Sequence, residues 1–297
     1  MEMLKVFAAC IALALGVSAC YAQEPEKPST SPTAVEWTIS AAAGPVQRTA
    51  IKSVFLLLCT KTQMKGTGFL LNNGLIVTNN HVVEGCTKDE MFADPWSQAD
   101  VFGFTKMVTD KGRDLALLHP AKHLTGGLEL ASAADQDPLI ETSVETWGFP
   151  LNYNGPAPLL SVGYVAGYVK DGEDGKEVKH VVVNGAFNPG NSGGPLLRNK
   201  DNKVIGIVVA KVKLYPPFVE NMIKGLSQSG SGMMHGLLDD HGNPILDEKG
   251  QPKMVSEAQI LAAILDQFYK TSQVMIGEAI SVSELRAFIK DKQSEVQ

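Results

Sequence analysis

Apolar positions in this 297-residue chain fall into three regimes. Val6–Ala19 is an unbroken apolar run, shorter than the ~20 residues of a bilayer span and of the length of a signal-peptide core. From about Val46 short apolar runs alternate with turn residues. They predict strands at Val54–Leu58, Leu115–Leu118, Val144–Trp147, Leu159–Val162, Val165–Val169, Val181–Val183 and Lys203–Val212. Gly68–Leu71 and Leu75–Thr78 flank Asn72-Asn73-Gly74 as a hairpin. With no long helical period among them, these strands argue for a β-barrel or sandwich.

After about Leu214 the period changes. Phe218, Val219, Met222, Ile223 and Leu226 recur at helical spacing. A Ser/Gly-rich break follows, then a repeat of period eight, Asp240-His-Gly242-Asn-Pro244 against Glu248-Lys-Gly250-Gln-Pro252, which reads as two successive turns. Ser256 and Gln259 form a capping box for a helix carrying Ile260, Leu261, Ile264, Leu265 and Phe268. Met275–Ser281 reads as a strand, and Ser281 with Glu284 caps a closing helix.

Composition narrows the class. The hydrophobic fraction of 44% suffices for a full core, and the length suits one or two domains. A formal charge of −6 excludes the basic footprint that a nucleic-acid binder needs. The four cysteines are too few for a disulfide-dense scaffold or a multi-thiolate metal cluster. The apolar run ends in Val17-Ser18-Ala19-Cys20, which resembles a bacterial lipobox with Cys20 as the lipidated first residue. Ordinary secretory cleavage after Ala22 is the alternative. Residues 1–19 then form a signal peptide and 20–45 a Pro-, Ser- and Thr-containing tether, and Tyr21 in place of Asp favours the outer membrane over the inner. In an oxidising compartment the remaining Cys59 and Cys86 predict a disulfide worth about 3.5 kcal/mol in the chain-entropy model, against the alternative of two buried thiols.

Three segments carry candidate chemistry. Gly66-Thr67-Gly68-Phe69-Leu70 is followed by Thr78-Asn79-Asn80-His81-Val82. Arg113-Asp114-Leu115-Ala116-Leu117-Leu118 comes next, and then Asn188-Pro189-Gly190-Asn191-Ser192-Gly193-Gly194-Pro195. Serine is a weak nucleophile that needs an imidazole base, and the imidazole needs a carboxylate to fix its tautomer. These segments, in the order His, Asp, Ser, resemble the trypsin-like serine proteases of the HtrA/Deg type. The resemblance covers roughly residues 50–212 and 274–292. It implies a mostly β fold of two six-stranded antiparallel barrels, chymotrypsin-like, over residues 46–297. It also implies His81, Asp114 and Ser192 as the triad and the N–H groups of Gly190 and Ser192 as the oxyanion hole. Ala186 with Val208-Val209-Ala210 would line the primary pocket, and residues 207–210 would pair with substrate as an added strand. An acidic pocket floor is missing from that set, so small or medium aliphatic residues are expected before the cut.

The implied activity is peptide hydrolysis on polypeptide substrates without cofactor or metal; the repeat at 240–252 lacks the ligand spacing of an EF-hand. An esterase is disfavoured because His81 precedes Ser192. A protease-fold binding protein or chaperone with little turnover is the rival. Two departures stand out. No PDZ-like domain is read after the protease, as relatives have; instead residues 213–273 read as a helical insertion between the strand beside the pocket and the final strand, packed on the barrels or serving as a lid. Gly185-Ala186 replaces Asp-Ala, which predicts a looser oxyanion loop and a partly inactive resting enzyme.

Overall fold

The computed structural model describes residues 42–95, 101–151, 153, 155, 157–171, 177–209, 217–239, 241–271 and 275–296. The predicted signal peptide, Cys20, most of the tether and Ala210 lie outside the described residues. The chain enters as helix α1 (Pro45–Lys52), where the sequence predicted the first strands. Pro45 supplies the fixed φ that suits a helix start, and Ala50 and Ile51 turn into the core.

Strands β1 (Val54–Cys59), β2 (Lys65–Leu70), β3 (Ile76–Thr78), β4 (Met91–Asp94), β5 (Phe104–Asp110) and β6 (Leu115–Pro120) form one antiparallel sheet in the order β4-β1-β2-β3-β6-β5. The expected first barrel is therefore an open sheet. Its two edges approach through a bridge in which Ala93 and Phe102 exchange N–H···O bonds of 2.8 and 3.1 Å. The disulfide between Cys59 and Cys86 ties the end of β1 to the turn after the short helix α2 (Asn80–Val83).

The second half closes fully. Strands β7 (Ser143–Gly148), β8 (Leu159–Asp171), β9 (Val178–Val183), β10 (Pro195–Arg198), β11 (Lys203–Val209) and β14 (Gly277–Ser281) make a barrel in the order β10-β11-β14-β9-β8-β7. β8 replaces two predicted strands. Gly163 does not break it; that glycine lets β8 pass Val183, whose Cγ1 would lie 2.7 Å from an added Cβ. The irregularity falls instead between Val165 and Gly167. Helix α5 (Val282–Asp291) follows, and α6 (Gln293–Val296) ends the described chain. Ser281 caps α5 through the N–H of Ser283, not through the box with Glu284 that the spacing suggested.

One core cluster joins the halves. Phe69 and Leu117 of the sheet, Leu197 and Ile207 of the barrel and Leu285 and Phe288 of α5 share it, all fully buried. Each such side chain contributes roughly 1.5–3 kcal/mol by burial.

The insertion leaves the barrel after β11 and returns at β14. It holds α3 (Pro217–Ser227), the two-stranded β12 (Met234–Gly236) and β13 (Met254–Ser256), and α4 (Glu257–Thr271). The capping box forms as read: Ser256 N–H donates to Gln259 Oε1 at 3.0 Å and Gln259 N–H to Ser256 Oγ at 3.3 Å. The repeat becomes two stacked turns anchored one residue earlier than its acidic positions suggested. Asp239 Oδ1 accepts from the N–H groups of His241 and Asn243, and Asp247 Oδ1 from those of Lys249 and Gln251. Among the described residues, much of the helices' apolar surface stays open. Phe218, Met222, Ile264 and Phe268 stay 59–65% exposed, and Ile264 and Phe268 help line an open groove of about 620 Å³ that contains no residue of the three motifs.

Candidate active site

The carboxylate is placed by a tight turn. Asp110 caps a single 3-10 turn (Lys111–Arg113) by accepting from Arg113 N–H, and Asp114 ends that turn with φ 52° and ψ 44°. Aspartate tolerates this left-handed region better than most residues. Arg113 ties the turn to the other half of the molecule. Its guanidinium contacts Asp110 at 2.5 Å, Asp291 at 2.8 Å and Glu284 at 3.4 Å, the last two on α5. Burial works against its charge, but the hydrogen bonds to Asp110 and Asp291 together with the negative charge of both hold its pKa raised.

Both oxygens of Asp114 then serve His81. Oδ1 accepts the His81 backbone N–H at 2.8 Å, and Oδ2 lies 2.7 Å from Nδ1. An ionised carboxylate can only accept, so beside it the neutral imidazole carries its proton on Nδ1 and keeps the lone pair on Nε2. Asn79, just before α2, donates from Nδ2 to the Asp114 carbonyl at 3.1 Å. The ring, the carboxylate and the turn are thereby fixed relative to one another.

The Ser192 segment is held through its carbonyls. Pro189 O accepts from Leu151 N–H at 2.8 Å, and Gly190 O from the Thr67 hydroxyl at 2.6 Å. Asn191 O accepts from Gly194 N–H at 3.0 Å, and Ser192 O from Thr67 N–H at 2.8 Å. The peptide bonds are trans, so the N–H groups of Gly190 and Ser192 point opposite to the anchored carbonyls of Pro189 and Asn191. Gly190 adopts φ 99°, and a Cβ there would sit 2.2 Å from Phe149 O. Gly193 adopts φ 85° and presses against Thr67 O and Thr78 Oγ1, which brings the serine segment onto the strand leading to His81. At Gly185 an added Cβ would lie 3.1 Å from Val162 O, so the glycine lets the loop sit close on β8.

The expected pocket residues divide. Ala186 is half-buried beside the loop, and Val209 ends β11. Val208 has another role than the one assigned to it. It is fully buried in the barrel core, its carbonyl accepts from Gly193 N–H and its N–H donates to Gly194 O, both at 2.9 Å. Ile207 and Val208 also sit between β10 or its preceding glycines and β14, so an added substrate strand has no edge there. Ala210 lies outside the described residues. Phe187, which the sequence reading missed, packs its ring on Gly277, where an added Cβ would fall 2.4 Å from Cδ2. Its aromatic character five residues before Ser192 was the available signal. Among the described residues no group of three His, Cys, Asp or Glu side chains is placed to hold a metal ion.

Residues 66–207 match the trypsin-like peptidase domain. The chain is 34% identical over 161 residues to a probable periplasmic serine endoprotease, DegP-like, of Chlamydia pneumoniae, covering 52% of this chain and 30% of that protein. It is 32% identical over 155 residues to the putative serine protease HhoA of Synechocystis, covering 49% and 36%. An uncharacterized protein, y4bJ, of Sinorhizobium fredii is 28% identical over 207 residues, covering 67% and 28%. The chain thus spans about a third of the length of these relatives. Among solved structures, the active form of the Rv3671c protease from M. tuberculosis aligns with TM-score 0.49 and 20% identity over 65% of this chain and 82% of that one. Residues 66–207 thus match a trypsin-like peptidase domain, the relatives they resemble include DegP-like serine endoproteases, and the strand topology is the chymotrypsin-like one that the sequence implied.

Proposed function

We propose that this chain is an exported serine endopeptidase that cleaves polypeptides through an acyl-enzyme. The paired contacts of Asp114 with His81 carry the reading, because they leave Nε2 as a base. His81 takes the Ser192 hydroxyl proton as Oγ bonds to the substrate carbonyl carbon. The negative oxygen that develops is met by the N–H groups of Gly190 and Ser192, a donor pair commonly worth several kcal/mol. Collapse breaks the C–N bond, and the leaving amine takes the proton from His81. Water then repeats the sequence: it gives a proton to His81, adds to the acyl carbon, and releases the acid as Ser192 regains its proton.

Ala186, Val209 and the Phe187 ring would bound a shallow apolar pocket suited to small or medium aliphatic residues. Strict cleavage after Lys or Arg in a peptide-library profile would overturn that preference. The apolar run 6–19 and Cys20 support export and a lipid anchor in the bacterial envelope, and the name of the Chlamydia relative supports a periplasmic setting.

A fluorophosphonate should label Ser192, and Ser192→Ala and His81→Ala should abolish labelling. A folded wild type that takes no label would instead favour a protease-fold binding protein.

A further inference from the structure

We propose that Thr67 is a positioning residue for the oxyanion loop, an inference that rests on reading Ser192 as the nucleophile. Thr67 lies on β2, in the other half of the molecule from Ser192, and is fully buried. It sits two residues beyond the last β2–β3 pair, Phe69 with Val77, so that edge of the strand is open to another partner. The nucleophile segment takes it. Thr67 N–H donates to Ser192 O at 2.8 Å, and Thr67 O accepts from the Thr78 hydroxyl at 2.7 Å.

The side chain adds a second tie. Its hydroxyl donates to Gly190 O at 2.6 Å and accepts from Phe149 N–H at 3.2 Å. Two of the four carbonyls from Pro189 to Ser192 are therefore held by this one residue, one of them by its hydroxyl. Phe149 and Leu151 flank Pro150, and Leu151 N–H anchors the Pro189 carbonyl. The hydroxyl thus joins both walls of the loop that orients the Gly190 amide.

A strand residue chosen only for shape could be valine. Valine keeps the branched Cβ and the volume but neither donates nor accepts, leaving Gly190 O and Phe149 N–H buried without this partner. The Gly190–Asn191 peptide would then be held at one end alone, by Asn191 N–H on Asn188 O at 2.9 Å, and the N–H groups on either side of it would be aimed less firmly.

The test follows the rate of fluorophosphonate inactivation with saturating probe, since the phosphonyl oxygen occupies the position of the developing oxyanion. Losing an oxyanion donor outright costs ~100- to 1,000-fold, so losing its support should cost about 10- to 100-fold. Thr67→Val is expected to lower the limiting inactivation rate by that factor with the half-saturating concentration within twofold of wild type. Thr67→Ser, which keeps the hydroxyl, should stay within about threefold of wild type. Should Thr67→Val not accumulate folded, Thr67→Ala carries the same comparison, with thermal melting as the check on folding. A limiting rate within twofold of wild type in the hydroxyl-free variant would overturn the assignment, as would a Thr67→Ser rate as low as that of Thr67→Val. If wild type itself takes no label, the reading of Ser192 fails and this inference with it; if wild type is labelled and the hydroxyl-free variant matches it, only the inference fails.

Discussion

Replacing Arg113 by methionine is the most demanding test of how the two halves cooperate. The substitution keeps an unbranched side chain but removes a cation that faces three carboxylates. The contact with Asp291 counts for little, since that side chain is 55% exposed and such pairs are worth at most about 1 kcal/mol. Asp110 and Glu284 are largely buried, at 14% and 19% exposure, and hydrogen bonds to charged groups there are worth ~1.5–3 kcal/mol each. The Glu284 contact is long, and its carboxylate keeps a second partner in Lys179 N–H. A net loss of about 3 kcal/mol results, near the lower range for breaking a buried pair. For a domain of this size that lowers the melting temperature by roughly 6–12 °C. Arg113→Lys keeps the charge without the fork and should lose less, and Asp291→Asn should cost under ~1 kcal/mol. Differential scanning fluorimetry of the four proteins reads all of this. An Arg113→Met melt within 2 °C of wild type would show that the cluster holds nothing together.

Two further outcomes are expected. Reducing the disulfide, or changing Cys86 to Ser, should lower stability by about 3.5 kcal/mol in urea titrations, with no difference between oxidised and reduced Cys86→Ser protein. Asp201 accepts a two-pronged bond from Arg198, which holds its pKa below the ordinary 3.8. The folded state then binds fewer protons than the unfolded one near that pH. The contribution is fully present above the unfolded value and disappears as pH falls through the folded one. The gap of about 1 kcal/mol between wild type and Asp201→Asn should be constant from pH 7 to 5 and shrink below pH 4; a gap unchanged at pH 3 would refute the assignment.

What the sequence disclosed depended on whether a feature was local. The segments around His81, Asp114 and Ser192 are each contiguous, so their chemistry could be read from a few letters. The capping box at Ser256 is likewise contained in four residues. β4 and β5 escaped notice because Met91-Phe92-Ala93-Asp94 and Phe104–Asp110 mix polar and apolar residues without a clean run. Helix α1 was hidden because Pro45–Lys52 is short and mostly polar, with Gln47, Arg48, Thr49 and Lys52 among few apolar residues, although Gly44-Pro45 offered a start signal. Partners far apart in sequence could not be read at all. Thr67 meets Phe149 and Gly190 at separations of 82 and 123, and Arg113 meets Glu284 and Asp291 at 171 and 178. Val208 was misassigned for a related reason: only the barrel's closure shows that both of its backbone groups are already used.

The insertion has a topological consequence. β11 and β14 are direct antiparallel neighbours, with Val209 opposite Glu278. The segment between them therefore begins and ends within one strand spacing, as the turn of any hairpin does. However many residues it holds, it asks nothing of the register on either side. Exchanging its nearly seventy residues for a four-residue turn changes the closure entropy by only about 2.5 kcal/mol, in the direction that favours the short form. The barrel can thus gain, lose or exchange this subdomain without refolding, and its surface is free to diverge on a schedule separate from that of the peptidase beneath it.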